Sequence, residues 1–201
     1  MSFFQNTCKP KGLGGNLMVN MMNIGHSSMA EWGLKHIKIQ DNDISLDIGC
    51  GGANIKKLLK KSPKGKVFGI DYSDVSVRKS KKVNKLAVKR KRCEILQSNV
   101  QELPFADETF DLATAFETIY FWSDIDRSFR QIYRVLKKGG VFMICNESNG
   151  ENDKDKKWTE IIKGMKIYTS KEIKYSLEKA GFTQIETNKN GKGWLCIVAR
   201  R

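Results

Sequence analysis

Proline occurs only three times, at Pro10, Pro63 and Pro104, and histidine only twice, at His26 and His36. With so little proline and no repeat or low-complexity tract, nothing along the chain reads as an interdomain linker. The five cysteines (Cys8, Cys50, Cys93, Cys145 and Cys196) include no C-x-x-C pair. An odd, scattered set fits reduced thiols better than a disulfide framework, and with two histidines to join them no metal site is expected. Cys145 and Cys196 each lie inside an apolar run and read as small buried hydrophobes. Nowhere do 18 uncharged apolar residues follow one another, and residues 1–8 carry no basic leader with an apolar core. A membrane-inserted span and a secretory signal are therefore not expected, and the cytoplasm is the expected compartment.

Acidic residues are also scarce, 22 against 36 Lys and Arg, for a net charge of +14. The excess is local: residues 56–92 hold 15 basic side chains and two acids, Asp71 and Asp74, whereas the rest of the chain is nearly neutral. Such a segment is either a solvated face or a surface for an anionic partner. Twenty-eight of the 36 cations are Lys, which weakens the case for nucleic acid, because bidentate phosphate and base contacts favour the Arg fork.

At 201 residues and 40% hydrophobic content, the chain suits one compact fold with a real core. Residues 1–42 differ in character from the rest. After a flexible stretch from Lys9 to Gly15, Leu17, Met18, Met21 and Met22 recur at helical spacing, and Ser28 with Glu31 has the spacing of a capping box for a second short helix. These residues read as a helical cap or lid over a domain at 43–201. From Ile44 onward short apolar runs alternate with amphipathic stretches, the pattern of a parallel sheet wrapped by helices. Strands are predicted near 44–48, 66–70, 93–97, 110–115 and 140–146, and helices near 53–61, 74–91, 124–136 and 170–180. Two last strands, near 182–186 and 194–199, are separated by a turn containing Asn190-Gly191 and are predicted to be antiparallel neighbours.

The segment Ile44-Ser45-Leu46-Asp47-Ile48-Gly49-Cys50-Gly51-Gly52-Ala53-Asn54 is a strand running into a glycine turn and then a helix. Asn54 stands where a dinucleotide fingerprint has its third glycine. Asp47 would also sit unfavourably beside a pyrophosphate, whereas it favours the sulfonium and ammonium of S-adenosylmethionine (SAM). Asp71, at the end of the second predicted strand, can accept both hydroxyls of a ribose.

Taken with Asn99 to Phe105, Phe110-Asp111-Leu112, Leu136 to Gly140 and the terminal hairpin, these motifs resemble the class I SAM-dependent methyltransferases, most nearly their small-molecule "type 11" branch. The resemblance covers roughly residues 44–199. It implies an α/β Rossmann-like three-layer sandwich with a seven-stranded, mostly parallel sheet of order 3-2-1-4-5-7-6 and strand 7 antiparallel. It also implies a SAM site, with S-adenosylhomocysteine as product. Asp47, Gly49 and Gly51 match the first motif, Asp71 the ribose acid, and Tyr72 a residue flanking the adenine. Asn99 and Val100 lie in the adenine-contacting stretch, where Asn99 replaces a usual Asp, and Phe116 matches the position under the sulfonium.

Methyl transfer from a sulfonium depends chiefly on alignment and exclusion of water, with a base needed only if the acceptor must lose a proton. Glu117, Tyr120 and Glu147, on loops past the strand ends, and His26 in the cap are the candidates; Phe121 and Trp122 add apolar wall. An Asn/Asp-Pro-Pro-aromatic turn and a Pro-Cys nucleophile are both absent after the fourth predicted strand, which counts against a nucleic-acid acceptor. The reading is a methyltransferase for a small-molecule acceptor, monomeric or homodimeric. Its alternatives are an RNA or protein methyltransferase using the basic 56–92 patch and a non-catalytic SAM-binding regulator. Acceptor molecule and atom are not legible in the sequence.

Overall fold

A computed structural model describes residues 25–201; the helical spacing at Leu17 to Met22 lies outside them. Seven strands form one sheet: β1 (Ile44–Ile48), β2 (Lys66–Asp71), β3 (Cys93–Gln97), β4 (Phe110–Phe116), β5 (Leu136–Asn146), β6 (Thr183–Lys189) and β7 (Leu195–Arg200). Their order is β3-β2-β1-β4-β5-β7-β6. The first five pair in parallel, and β7 runs antiparallel to both β5 and β6. The fold is the one the resemblance implied.

Strand parity divides the core. Ala113, Ala115, Phe142, Ile144, Leu195 and Ile197 face one side, against Phe129 and Ile132 of α5 (Ile125–Val135) and Ile173 and Leu177 of α7 (Ser170–Lys179). Their sequence neighbours Leu112, Phe116, Met143, Cys145, Cys196 and Val198 face the other, against α1 (Ser27–Gly33), α2 (Ala53–Lys61) and α3 (Asp74–Val83). This alternation is the period-two geometry of a strand buried on both faces.

The helix predicted near 74–91 is broken. α3 stops at Val83 and a short α4 covers Lys85–Lys89. Between them Asn84 turns its side-chain amide to the carbonyls of Gly52, at 3.0 Å, and Ser80, at 2.9 Å, the local competition with helical bonding for which Asn is suited. A further helix, α6 (Asp153–Ile161), has no counterpart among the predicted elements. The hairpin loop runs from Asn190 to Trp194. Gly193, at φ +86°, is its left-handed residue, and Asn190 Oδ1 accepts the amides of Lys192 and Trp194.

The capping box expected at Ser28 and Glu31 does not form. α1 begins two residues earlier, with His26 at its N-cap, Ser28 lies within it, and Glu31 pairs with Lys57 at 3.0 Å. What docks α1 is Gly33: a Cβ there would lie 2.5 Å from Cys145 Sγ. Cys50, Cys93, Cys145 and Cys196 are buried free thiols. Gly33→Val is expected to cost about 1–3 kcal/mol through overpacking and to lower Tm by roughly 2–12 °C, as read by thermal melting. An unchanged Tm would mean that α1 is not seated on the sheet through this residue.

Candidate active site

Parallel α/β sheets bind ligands beyond the carboxyl ends of their strands, and two clefts lie there. The first, with about 600 Å³ of empty space open to solvent, is lined by the ends of β1 and β2 (Ile48, Gly49, Ile70, Asp71 and Tyr72), by Ser98, Asn99 and Val100 after β3, and by Thr118 and Phe121 to Ser123 after β4. Gly49, at φ +75°, has no room for a side chain, since a Cβ would lie 2.4 Å from Thr118 Oγ1. Its amide and that of Cys50 both donate to the Ile70 carbonyl, which holds the loop against β2.

Asp71 is 8% exposed, and its Oδ1 accepts the Ser73 amide at 2.8 Å. Burial raises its carboxyl to about 6, against the opposing pull of the amide bond from Ser73. Asn99 Oδ1 accepts the Gln101 amide at 3.0 Å, forming an Asx turn that fixes the side chain at the cleft wall. Tyr72, 38% exposed, presents its ring to the same cleft.

Three residues of the cofactor motif do not line this cleft. Asp47 is buried within β1, where it accepts Thr114 Oγ1–H at 2.9 Å. Burial, with Asp71 nearby, raises its carboxyl to about 7 despite the Thr114 bond. Gly51 stands at the start of the turn into α2, off the cleft wall. Phe116 packs with Met29, Met143 and Cys145 in the core, because strand parity turns its ring toward α1. The aromatic side chains on the cleft wall are Tyr72, Phe121 and Trp122.

The second cleft, with about 580 Å³ of empty space that includes open solvent, shares Phe121 with the first and is otherwise lined by His26, Glu117, Tyr120, Glu147, Ser148, Trp158, Ile162 and Met165. All four candidate catalytic residues thus converge on one wall. Glu117, in the left-handed region at φ +56°, accepts the Glu147 amide and lies 3.2 Å from the Tyr120 hydroxyl. Burial raises its carboxyl to about 8, and the charge of Glu147 adds to the rise. Burial, then the nearby Glu117, hold the Tyr120 hydroxyl well above its usual range. Tyr120 also accepts the Ser148 amide at 3.1 Å, so it braces Glu117 and stays protonated. His26 Nε2 stands 4.0 Å from Glu117 Oε2 and 3.9 Å from Glu147 Oε2, with burial lowering its pKa more than Glu147 raises it.

His26, Glu117 and Glu147 offer ligand atoms within 4.8 Å of one another, a donor set that suits a divalent ion. Ligands sharing an ion through bonds of about 2.1 Å lie nearer about 3–3.5 Å apart, so binding one would require the three to close in. Sequence reading missed Thr118, Ser148, Trp158, Ile162 and Met165. Trp158, Ile162 and Met165 carried a signal that could have found them, since with Ile161 they recur at helical spacing.

A seven-stranded sheet with a reversed seventh strand, a glycine turn after β1 and an acid ending β2 define a nucleoside-cofactor site of the methyltransferase kind. Residues 46–144 match the family model described as a methyltransferase domain. YrhH of Bacillus subtilis (strain 168), itself named a methyltransferase, is 33% identical over 128 residues, covering 63% of this chain and 69% of its own. Cycloartenol-C-24-methyltransferase of Arabidopsis thaliana is 28% identical over 73% of this chain, which spans only 46% of that relative's length. In fold, a SAM-dependent methyltransferase from Aquifex aeolicus superposes with a TM-score of 0.76 at 24% identity, over 92% of this chain and 97% of that one. The chain belongs to the class I SAM-dependent methyltransferases.

Proposed function

We propose that this chain catalyses methyl transfer from SAM to a small-molecule acceptor that binds in the second cleft and loses a proton to the Glu117–His26 pair. The observation that carries the reading is the junction of the two clefts at Phe121, with the half-buried Glu117 carboxyl on the second side and Thr118 on the first. Apolar walls with a few convergent polar groups are the ordinary form of a small-ligand site. The lining of the first cleft supports SAM as donor: Asp71 offers a carboxylate to the ribose, and Tyr72 and Val100 flank space for the adenine. Bound there, SAM supplies an activated methyl group on a positive sulfonium.

Within this reading Asp71 and Asn99 orient the donor, and Phe121 separates the two clefts while keeping water from the line of transfer. The acceptor's nucleophilic atom gains the methyl and gives up its proton, which passes to the Glu117 carboxylate. His26, whose pKa burial lowers, stands 4.0 Å from Glu117 Oε2 and would have to approach by about 1 Å to take up that proton. The sterol-methylating relative makes a carbon-centred acceptor one member of the class.

Incubating the full chain with methyl-labelled SAM and the separated small-molecule, RNA and protein fractions of a cell extract tests the acceptor. Label is expected in the small-molecule fraction; label confined to RNA or protein would refute it. SAM should raise Tm through ligand linkage, by about 2.7 kcal/mol of stabilisation at one hundred times its Kd. A shift with NAD and none with millimolar SAM would overturn the donor assignment instead.

A further inference from the structure

Outside both clefts, the strongest surface feature is the stretch from Lys81 to Lys91. α2 and α3 pack on the same face of the sheet, so the basic excess of residues 56–92 is gathered on one side of the molecule. Lys57, Lys64, Lys66 and Arg78 in it are paired with acids. Lys81, Lys82, Lys85, Lys89, Arg90 and Lys91 are exposed, and none of them takes part in an ion pair among the described residues. A compositional bias toward Lys would spread over the chain, whereas outside residues 56–92 the charges nearly balance.

Amid these cations α4 carries two apolar side chains on its surface, Leu86 at 64% and Val88 at 36% exposure, and no residue of α4 is buried. Only Ala87 packs, partly buried, against the core. Nothing in the fold requires Leu86 and Val88 to face water at the centre of a cationic surface. With Ala87 turned inward, Leu86 and Val88 point to opposite sides of α4 and flank the outward Lys85 and Lys89, so Lys side chains can meet anionic headgroups while the apolar ones on either side reach the acyl boundary.

We propose that this surface docks on an anionic lipid bilayer, lying on it without entering. Charge complementarity selects an anionic partner, and the apolar pair selects lipid over RNA. The cations from Lys81 to Lys91 are Lys except for Arg90, so forks for bidentate phosphate contact are few. No aromatic residue lies among them to stack a base. Asn84, bonded to the Gly52 carbonyl, ties α4 to the start of α2 and so holds the surface in fixed relation to the glycine turn. The proposal is independent of the acceptor's identity.

Co-sedimentation of the full chain with vesicles tests it, comparing phosphatidylcholine alone with a mixture containing about one third phosphatidylglycerol. At about 0.1 M salt the chain is expected to bind the anionic vesicles at least about tenfold better, and to be released at about 0.5 M. Charge reversal at Lys81, Lys82, Lys85 and Lys89 should abolish binding. Leu86→Ser with Val88→Ser, which leaves the charge unchanged, should weaken it several-fold, and an equal Tm rise with S-adenosylhomocysteine confirms that each variant is folded. Absence of binding to anionic vesicles by the unaltered chain, or equal binding to both compositions, would overturn the proposal. So would salt-sensitive binding of a short RNA in place of vesicles.

Discussion

Asp71→Asn is expected to weaken SAM binding by roughly 10- to 100-fold, the loss that follows from about 1.5–3 kcal/mol for a hydrogen bond to a charged group. The carboxyl ends β2 on the wall of the first cleft and is oriented by the Ser73 amide. Asn keeps the shape but loses the charge and one acceptor. Because burial raises the Asp71 carboxyl to about 6, the unaltered protein should also bind SAM more tightly as pH rises through 6, whereas the Asn variant should not. The sign for stability is the opposite. A carboxyl whose folded value exceeds its unfolded value of about 4 contributes stability present below pH 4 and lost as pH rises through 6. Calorimetric titration with SAM between about pH 5 and 8, with thermal melts of the ligand-free protein, reads both. Affinity that is unchanged by the substitution would remove Asp71 from the ribose role.

Glu117→Gln should lower kcat by about 10²–10⁴, the usual contribution of a positioned base, while leaving the SAM Kd within about twofold. The ionised carboxylate is the form that accepts a proton, and burial raises its value to about 8. The unaltered enzyme should therefore gain activity with pH up to about 8 and then level off, and the Gln variant should lose that limb. The same shift lowers the ligand-free protein's stability as pH rises from about 4 through 8, so the Gln variant should be the more stable of the two at alkaline pH. A residue with only a structural role would move the melting temperature and leave the pH profile intact. That outcome, measured with the acceptor identified by label transfer, would exclude Glu117 as the base.

Much of the fold could be read in advance because burial along a strand or helix is a local property of the chain. The runs at Ile44 to Ile48 and Cys93 to Gln97 match their strands end to end. β1 is buried on both faces, whereas the edge strand β3 buries only alternate residues, and both patterns are local to the sequence. α6 is absent from the predicted elements although Trp158, Ile161, Ile162 and Met165 recur at helical spacing, because its first turn is dense in charge and the stripe runs past its end into the loop. Asn84 reads as a permissible helix residue until the Gly52 carbonyl is placed beside it. Gly193 takes the left-handed position that Asn190-Gly191 suggests for its own glycine, because Asn190 caps a longer loop.

The first cleft divides in the same way. Gly49, Asp71, Tyr72, Asn99 and Val100 were legible because each follows directly on a strand end, where the parallel sheet delivers its loops to one edge. Phe116 was placed by its position in a motif, but its orientation depends on strand parity and on α1 lying over that face.

By itself, then, the sequence determined most of the strands and, through the family resemblance, their order and the methyltransferase class, since these depend on local periodicity and on a few glycines and acids at strand ends. Only the tertiary structure decided that His26, Glu117 and Glu147 share one wall of a second cleft. They come from the start of α1 and from the ends of β4 and β5, and no spacing along the chain records their approach. It depends on Gly33 letting α1 settle against Cys145 and Cys196, and on two parallel strands that end side by side.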